Sequence, residues 1–265
     1  GLEKAARDLG GSVSLRALDM AAQVRPHGPE SAGRADQVTH QLESAIGLGL
    51  LAPGERLPPE SVMADHLGVS PLTLRQSLAV LRSKGLLETR RGRGGGSYVT
   101  GFLPVREAEI ERELLSRTSD GLRDLIDLAA SAAGSAARLA SLRSDEQDHR
   151  RLRSLAGRFA SASEPQMLRQ ADARLHIGLG VAAQSRRLTT LLIQIHAELS
   201  PLTWGEAWMD RQSTAVKEHE ALIDLIGQGD ARAAEDLAVA HFEREGALVI
   251  DQHLGLLTSQ LEDSR

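Results

Sequence analysis

The sequence predicts a mainly α-helical protein in two parts: an N-terminal winged helix-turn-helix with a small β-hairpin wing, and a C-terminal all-α helical bundle. Three observations predict it. Aromatic residues make up only 2% of a chain that is 41% hydrophobic, so the core must be built from Leu, Ala, Val and Ile, which favours helix over sheet. From Phe102 onward almost every segment carries apolar residues at helical spacing. One short stretch, "LLETRRGRGGGSYVT", alternates and turns like a hairpin with a flexible tip. At 265 residues the chain can bury two modest cores.

The elements follow in order. Residues 1–33, rich in Gly, Ser, Pro and Ala, are expected to be an extension, disordered apart from at most one helix near Leu15–Val24. Val38, Leu42, Ala45, Ile46 and Leu50 then share one face of an amphipathic helix. Pro53-Gly54 and Pro58-Pro59 forbid its continuation. "ESVMADHLGVS" is a short helix closed by Gly68, which suits a left-handed C-cap. Ser70-Pro71 restarts a helix as N-cap and first-turn proline, burying Leu74, Leu78 and Leu81 before Gly85. The C-terminal helices are expected at 104–117, 119–142, 145–162, 165–183, 186–209, 212–228 and 230–251.

These boundaries give an extension (1–33), a winged helix-turn-helix (34–100), a linker and first helix (101–118), a helical domain (119–251) and a tail (252–265).

Two short helices joined by Gly68-Val69-Ser70 have the length and turn of a helix-turn-helix. The first turn of the second helix would face outward. There Arg75 can pair with a guanine edge or a phosphate, and Gln76 can reach adenine. Ser70 and the helix N-terminus can hold a phosphate through backbone N–H groups. The three arginines and four glycines of Arg90–Gly96 raise a second phosphate question. In a dinucleotide loop, Gly92 and Gly94 would fill the first two glycine places, but Ser97 fills the third and no helix follows. Behind a helix-turn-helix the loop reads instead as a wing, with Arg90, Arg91 and Arg93 on DNA phosphate or in the minor groove.

Charge agrees weakly. The chain carries −5 overall, but residues 34–100 hold eight basic and six acidic side chains while residues 101–265 hold 19 and 26. Only the former segment is suited to meet a polyanion.

Residues 34–99 resemble the winged helix-turn-helix of the GntR family of bacterial transcription regulators. The resemblance rests on "GLLAPGERLPPESVMADHLGVS" and "TLRQSLAVLRSKGLLETRRGRGGGSYV". It implies that Thr73 and Arg75 of the recognition helix, and Arg91-Gly92 of the wing, fall on DNA-contacting positions. Two departures alter the expected half-site: Ser61 stands where many members carry an arginine, and Pro71-Leu72 replaces a more usual polar pair.

There is no cysteine, so any metal must be held by nitrogen and oxygen, and a reducing cytosol is the expected location. No apolar run approaches the roughly 20 residues that span a bilayer. Of nine histidines, His27, His40, His66, His149, His196 and His253 take the usual reading of surface or satisfied core. Asp172 and His176 stand four apart on one helical face, and His219 and His241 sit on two later helices. One carboxylate and three imidazoles can hold a divalent ion between packed helices. "HEALI" at 219–223 places Ile223 where a zinc protease needs its second histidine, so that reading is rejected.

The same segments, "DARLHIGLGVAAQSRRL" and "KEHEALIDLIGQGDARAAEDLAVAHF", resemble the FadR-type (FCD) effector domain. In the metal-binding branch of that family an Asp and three His hold a divalent ion at the floor of a ligand cavity. The resemblance implies zinc, with nickel or manganese as alternatives, and a small carboxylate effector aided by an arginine on the first long helix. Ala129 and Ala133 occupy the corresponding places, so Arg123, Arg138 or Arg174 must substitute or the effector is less acidic. Few aromatic residues leave few stacking surfaces, which points to a small aliphatic acid.

The leading expectation is therefore a cytoplasmic, homodimeric, DNA-binding regulator, a repressor of a palindromic operator, that senses a small organic acid. An enzyme with Glu218 or Glu220 as base beside the ion is the rival, and a purely structural metal is a third reading. Neighbours of His219 point about 100° away from it on a helix, which disfavours both bases.

Overall fold

The computed structural model describes residues 33–101 and 106–263, so the expected extension and its helix near Leu15–Val24 lie outside the described residues. The chain divides into two compact units, Gly1–Leu103 and Pro104–Arg265.

In the first unit α1 (Arg34–Gly47) packs across α3 (Pro71–Ser83), with the shorter α2 (Glu60–Leu67) beside α3. Val38, Leu42 and Ile46 of α1 meet Leu74, Leu78 and Leu81 of α3 in a dry core, each less than 5% exposed. Burying such side chains contributes about 1.5–3 kcal/mol apiece. The turn between α2 and α3 has the expected chemistry. Gly68 adopts φ 63°, the left-handed conformation that ends α2, and the Ser70 side chain accepts the Thr73 N–H at 3.1 Å to cap α3.

Strands β1 (Leu87–Arg90) and β2 (Gly96–Val99) pair antiparallel, with Leu87 opposite Val99 and Arg90 opposite Gly96. Arg56 adds a bridge to Tyr98 on the other edge, and its guanidinium donates to the Gly95 carbonyl. The loop before α2 thereby ties the wing to the helices.

In the second unit α4 (Glu107–Leu115) leads into α5 (Ser119–Arg143), α6 (Glu146–Ala160), α7 (Pro165–Ala182), α8 (Arg186–Leu199), α9 (Gln212–Gln228) and α10 (Ala231–Asp263). The two longest, α5 and α10, lie along each other through small residues. A Cβ at Gly134 would stand 2.7 Å from Val239 Cγ2, and one at Gly246 would overlap Ile126 Cγ2. Ala129 and Ala133 of α5 are fully buried in the same way. Helix α7 packs against α5, α6 and α8, and so carries its face into the middle of the bundle.

Two elements differ from the sequence expectation. The helix expected over 186–209 stops at Leu199, where Pro201 cannot donate a backbone hydrogen bond, and two 3-10 turns follow, Ser200–Leu202 and Glu206–Arg211. The last helix does not end near 251 but runs to Asp263. Its extension is anchored: Gln252 accepts from Trp208 Nε1 at 3.4 Å, and His253 Nε2 meets Ser119 Oγ at 3.1 Å. No helix among the described residues is long and apolar enough to cross a membrane.

Candidate functional site

The N-terminal unit presents a basic, exposed surface. On α3, Arg75 and Gln76 are exposed, and the Arg75 Nε donates to Glu60 Oε2 of α2 at 2.8 Å. Thr73 is half-buried, and its hydroxyl lies 2.8 Å from that of Ser70. Both hydroxyls are thus engaged in capping, so a phosphate at this end of α3 would be met by backbone N–H groups rather than by a free Ser70 side chain. Leu72 is 67% exposed, beside these polar groups. At the wing, Arg91 and Arg93 are exposed and form no ion pair among the described residues, whereas Arg90 pairs with Glu88 at 2.6 Å and lies 4.2 Å over the Tyr98 ring. Gly92 and Gly94 both adopt φ 91°, the left-handed region that only glycine enters freely. The tip therefore puts two unpaired guanidinium groups on a tight turn of bare backbone. Arg56, which pins that turn, escaped sequence reasoning because its partner is a carbonyl 39 residues away.

The second unit buries a cluster of histidine and carboxylate side chains. Asp172 and His176 of α7, His219 of α9 and His241 of α10 are all buried, and one ligand atom from each lies within 4.8 Å of the others. Asp172 Oδ1 is 3.4 Å from His176 Nε2 and 3.6 Å from His219 Nε2, and the Nε2 atoms of His219 and His241 are 3.4 Å apart. Those separations suit a shared ion. Ligands about 2.1 Å from one tetrahedral centre stand roughly 3.4 Å from each other. The donor set, three imidazoles and one carboxylate without cysteine, fits zinc and other first-row divalent ions.

Protonation states fit as well. His241 Nδ1 lies 2.7 Å from Glu218 Oε2, so its proton belongs on Nδ1 and the Nε2 lone pair faces the cluster. Burial holds His219 well below the usual imidazole range and lowers His241, keeping both neutral and able to ligate. Burial would raise the Asp172 carboxyl, but His176 beside it at 3.4 Å prevails and keeps it well below the usual carboxylate range. Glu218 is likewise pushed up by its surroundings yet pulled down to about 2 by His241, Arg211 and Arg244. Its two oxygens are occupied by His241 Nδ1, by Arg211 at 3.0 Å and by Arg244 at 2.9 Å. A carboxylate so engaged is no general base, and Glu220 is exposed. The enzyme reading loses both of its candidate bases.

Three further groups join the cluster that the sequence did not assign to it. His196 of α8 takes neither a surface nor a satisfied-core role. It is buried, its ring stacks on His176 with centroids 5.4 Å apart, and its Nε2 has no hydrogen-bond partner. Desolvation, with His176 next, lowers it to about 3. Glu245, one turn after His241, is buried 3.3 Å from His241 Nε2, and burial together with Asp172 raises its carboxyl well above the usual range. Its i+4 spacing from His241 was a usable signal. Arg211 has a nearly buried side chain with its Nε unpartnered.

Aromatic rings also gather here despite their scarcity. Phe159 packs edge-on against His219 at 4.7 Å, Phe242 against His176 at 4.7 Å, and Trp204 against Phe159 at 4.9 Å. The arginines expected to aid an effector do not join them. Arg123 pairs with Asp120 on the surface, and Arg138 faces Glu235 at a half-exposed edge of α5. Arg174 is half-buried and leaves α7 about 200° around the helix from both Asp172 and His176.

Comparison with known proteins bears on both units. Residues 34–96 match the family of bacterial regulatory proteins named gntR, and residues 124–244 match the FCD domain. A Mycobacterium gastri protein described as an HTH-type transcriptional regulator, RmpR, is 38% identical over 237 residues, which cover 87% of this chain and 85% of that one. A Bacillus subtilis relative, the HTH-type transcriptional regulator LutR, is 25% identical over 201 residues, or 73% of this chain and 90% of its own. An Escherichia coli protein described as an L-lactate dehydrogenase operon regulatory protein is 26% identical over 220 residues, covering 78% and 83%. Family and relatives are transcription regulators rather than enzymes, and such regulators bind DNA operators and small-molecule effectors. The chain belongs to the GntR family of bacterial regulators and carries an FCD domain, which makes it a ligand-responsive DNA-binding transcription regulator.

Proposed function

We propose that this regulator is a zinc-dependent repressor that leaves its operator when a small carboxylate binds the metal centre. In this reading residues 34–100 bind DNA and residues 119–251 form the effector domain, continued by the extended last helix. Arg75 and Gln76 read base edges, and Arg91, Arg93 and the backbone at Gly92 hold phosphate or enter the minor groove. Thr73 and Ser70 set the end of the recognition helix, and Arg90 supports the wing from its place over Tyr98. Two copies related by a two-fold axis would meet the halves of a palindrome, in the cytoplasm where the chromosome lies.

The observation that carries the metal assignment is the convergence of Asp172, His176, His219 and His241, all buried, with ligand atoms within 4.8 Å. When bound, the ion supplies a positive Lewis-acidic centre for an anionic oxygen. The chain's own residues orient it. Glu218 fixes the His241 tautomer, and Phe159 and Phe242 limit how far the His219 and His176 rings can turn. Coupling follows if the effector binds one arrangement of the two DNA-binding units better than the other.

A mobility shift on the DNA upstream of the gene tests the reading, with lactate, succinate and citrate added with and without a chelator. Release of DNA by an acid, abolished by chelator and in the His219→Ala, His241→Ala double variant, is the expected result. Release unaffected by chelator would overturn the metal-dependent mechanism.

A further inference from the structure

The first turn of the recognition helix has no polar side chain left to offer. Pro71, which opens α3, is exposed and has no backbone N–H to donate. The Ser70 and Thr73 hydroxyls lie 2.8 Å apart, and the Ser70 oxygen also accepts the Thr73 N–H, so both are engaged in the cap. Between them stands Leu72, 67% exposed, the most exposed large apolar side chain among the described residues of the first unit.

Helical spacing fixes what surrounds it. Leu72, Arg75, Gln76 and Ala79 follow the i, i+3, i+4, i+7 pattern of one helical face, and all four are exposed. The opposite stripe, Leu74, Leu78 and Leu81, is buried in the core of the unit. Arg75 is held through its Nε by Glu60 at 2.8 Å, which leaves its terminal nitrogens for a ligand. The outward stripe is thus apolar at both ends, with two polar side chains between.

A lone leucine on a protein surface needs no explanation, but this one leads the face of a helix that carries a guanidinium and an amide one turn on. In the major groove the thymine 5-methyl is the one apolar group on the base edges; guanine, cytosine and adenine present hydrogen-bonding atoms there. A helix that enters the groove with Leu72 foremost therefore gains from this side chain where a thymine stands. Opposite any other base the leucine strips water from donors and acceptors that it cannot satisfy. Leu72 and Arg75 are three residues apart, about 4.5 Å along the helix axis, which lies between one and two base-pair steps of about 3.4 Å.

We propose that Leu72 reads the 5-methyl group of one thymine in each half-site, within about two base pairs of the base that Arg75 contacts. The inference rests on the reading of α3 as the helix that enters the major groove, and it adds a base identity to that reading. Each half-site is then defined by a hydrogen-bonded base and a methyl contact, met by neighbouring side chains of a single helical face.

Replacing thymine by deoxyuridine removes that methyl group and keeps every hydrogen-bonding atom of the base pair. The effector-free full chain first selects its operator from a randomised duplex pool. Fluorescence anisotropy then measures binding to operators that carry deoxyuridine at each thymine in turn, in both half-sites together. At one thymine position the wild type should lose about 4-fold per half-site, the worth of one buried methyl group, or roughly 15-fold for the two together. Leu72→Ala should bind the unmodified operator less tightly and show no further loss at that position. Thermal unfolding checks that this exposed substitution leaves the fold intact. A wild type indifferent to deoxyuridine at every thymine would overturn the proposal and leave the major-groove reading of α3 standing. The same loss in Leu72→Ala as in the wild type would assign the methyl contact to another residue and overturn it too. So would a sensitive thymine farther than about two base pairs from the position whose preference Arg75→Ala relaxes. No sequence enriched from the pool would overturn the reading of α3 itself.

Discussion

Glu218 and His241 stand 2.7 Å apart across two helices, Glu218 one residue before the cluster's His219 on α9 and His241 within the cluster on α10. The hydrogen bond fixes which His241 nitrogen carries its proton, and two arginines hold Glu218 in place. Removing it with Glu218→Ala should weaken zinc about 10- to 100-fold, the usual effect of losing a partner that orients a metal ligand. Competition with a chromogenic chelator reads the affinity directly. An unchanged value would mean that packing alone orients the ring.

His196 gives a pH dependence whose sign is set by burial. Its pKa falls from 6.5 to about 3 in the folded chain, so the unfolded chain takes up the extra proton between those values. The stability tied to neutral His196 is complete above pH 6.5 and is lost progressively as pH falls toward 3. Each such histidine adds at most about 1.4 kcal/mol per pH unit to the slope. Denaturant titrations of metal-free protein at pH 7, 6 and 5 should show this decline, and His196→Phe should make it shallower.

The sequence made the helices and the capping at Ser70 legible, because each rests on local spacing. Spacing also set Asp172 and His176 on one face of α7. His219 and His241 were added to them only through the resemblance to the FCD domain, and the packing of α9 and α10 brings the four side chains together. The connection after α8 was not legible. Its conformation depends on Arg169 and Glu107, which lie 34 and 99 residues from the groups they hold. His196 was misjudged for a related reason. Nothing on its own helix shows that it stacks on His176, and only the packing of α8 on α7 brings the two together. Scarce aromatics misled in the same way, since composition counts rings without saying that they gather around one site.

In the DNA-binding unit, two kinds of arginine should behave differently. Arg91 and Arg93 sit unpaired at the wing tip, so replacing both with alanine should weaken binding to any duplex. The salt slope should fall by about 0.9 for each phosphate that the variant no longer neutralises. Arg75 lies on the exposed face of the recognition helix, and Arg75→Ala should cost about 1–3 kcal/mol on the operator alone. Fluorescence anisotropy on operator and scrambled duplexes over a salt series separates the two. Equal weakening on both duplexes for Arg75→Ala would assign that arginine to phosphate rather than to a base.

At Gly246 α10 packs directly on α5, and a Cβ there would overlap Ile126 Cγ2. Gly246→Ala should destabilise the effector unit by about 1–3 kcal/mol, since the side chain it meets is itself buried and a well-packed core yields little. Pairing it with Ile126→Ala relieves the overlap, so the double variant should recover part of the Gly246→Ala loss even though Ile126→Ala alone is destabilising. Thermal unfolding of the four proteins gives the coupling energy, and strictly additive effects would show that the helices separate instead of clashing.

Ser70 has two candidate uses, and geometry favours one. Its oxygen accepts the Thr73 N–H at 3.1 Å, which satisfies one of the free donors at the start of α3. Ser70→Ala should therefore lower the stability of the first unit by about 1 kcal/mol, while Ser70→Gly, itself a tolerated cap, should lower it by only a few tenths. A phosphate-binding role for the hydroxyl predicts the reverse pattern: both variants would lose DNA affinity equally, whatever their stability. Chemical denaturation beside an operator titration at low salt distinguishes them, and equal affinity losses with unequal stability would assign the hydroxyl to DNA rather than to the cap.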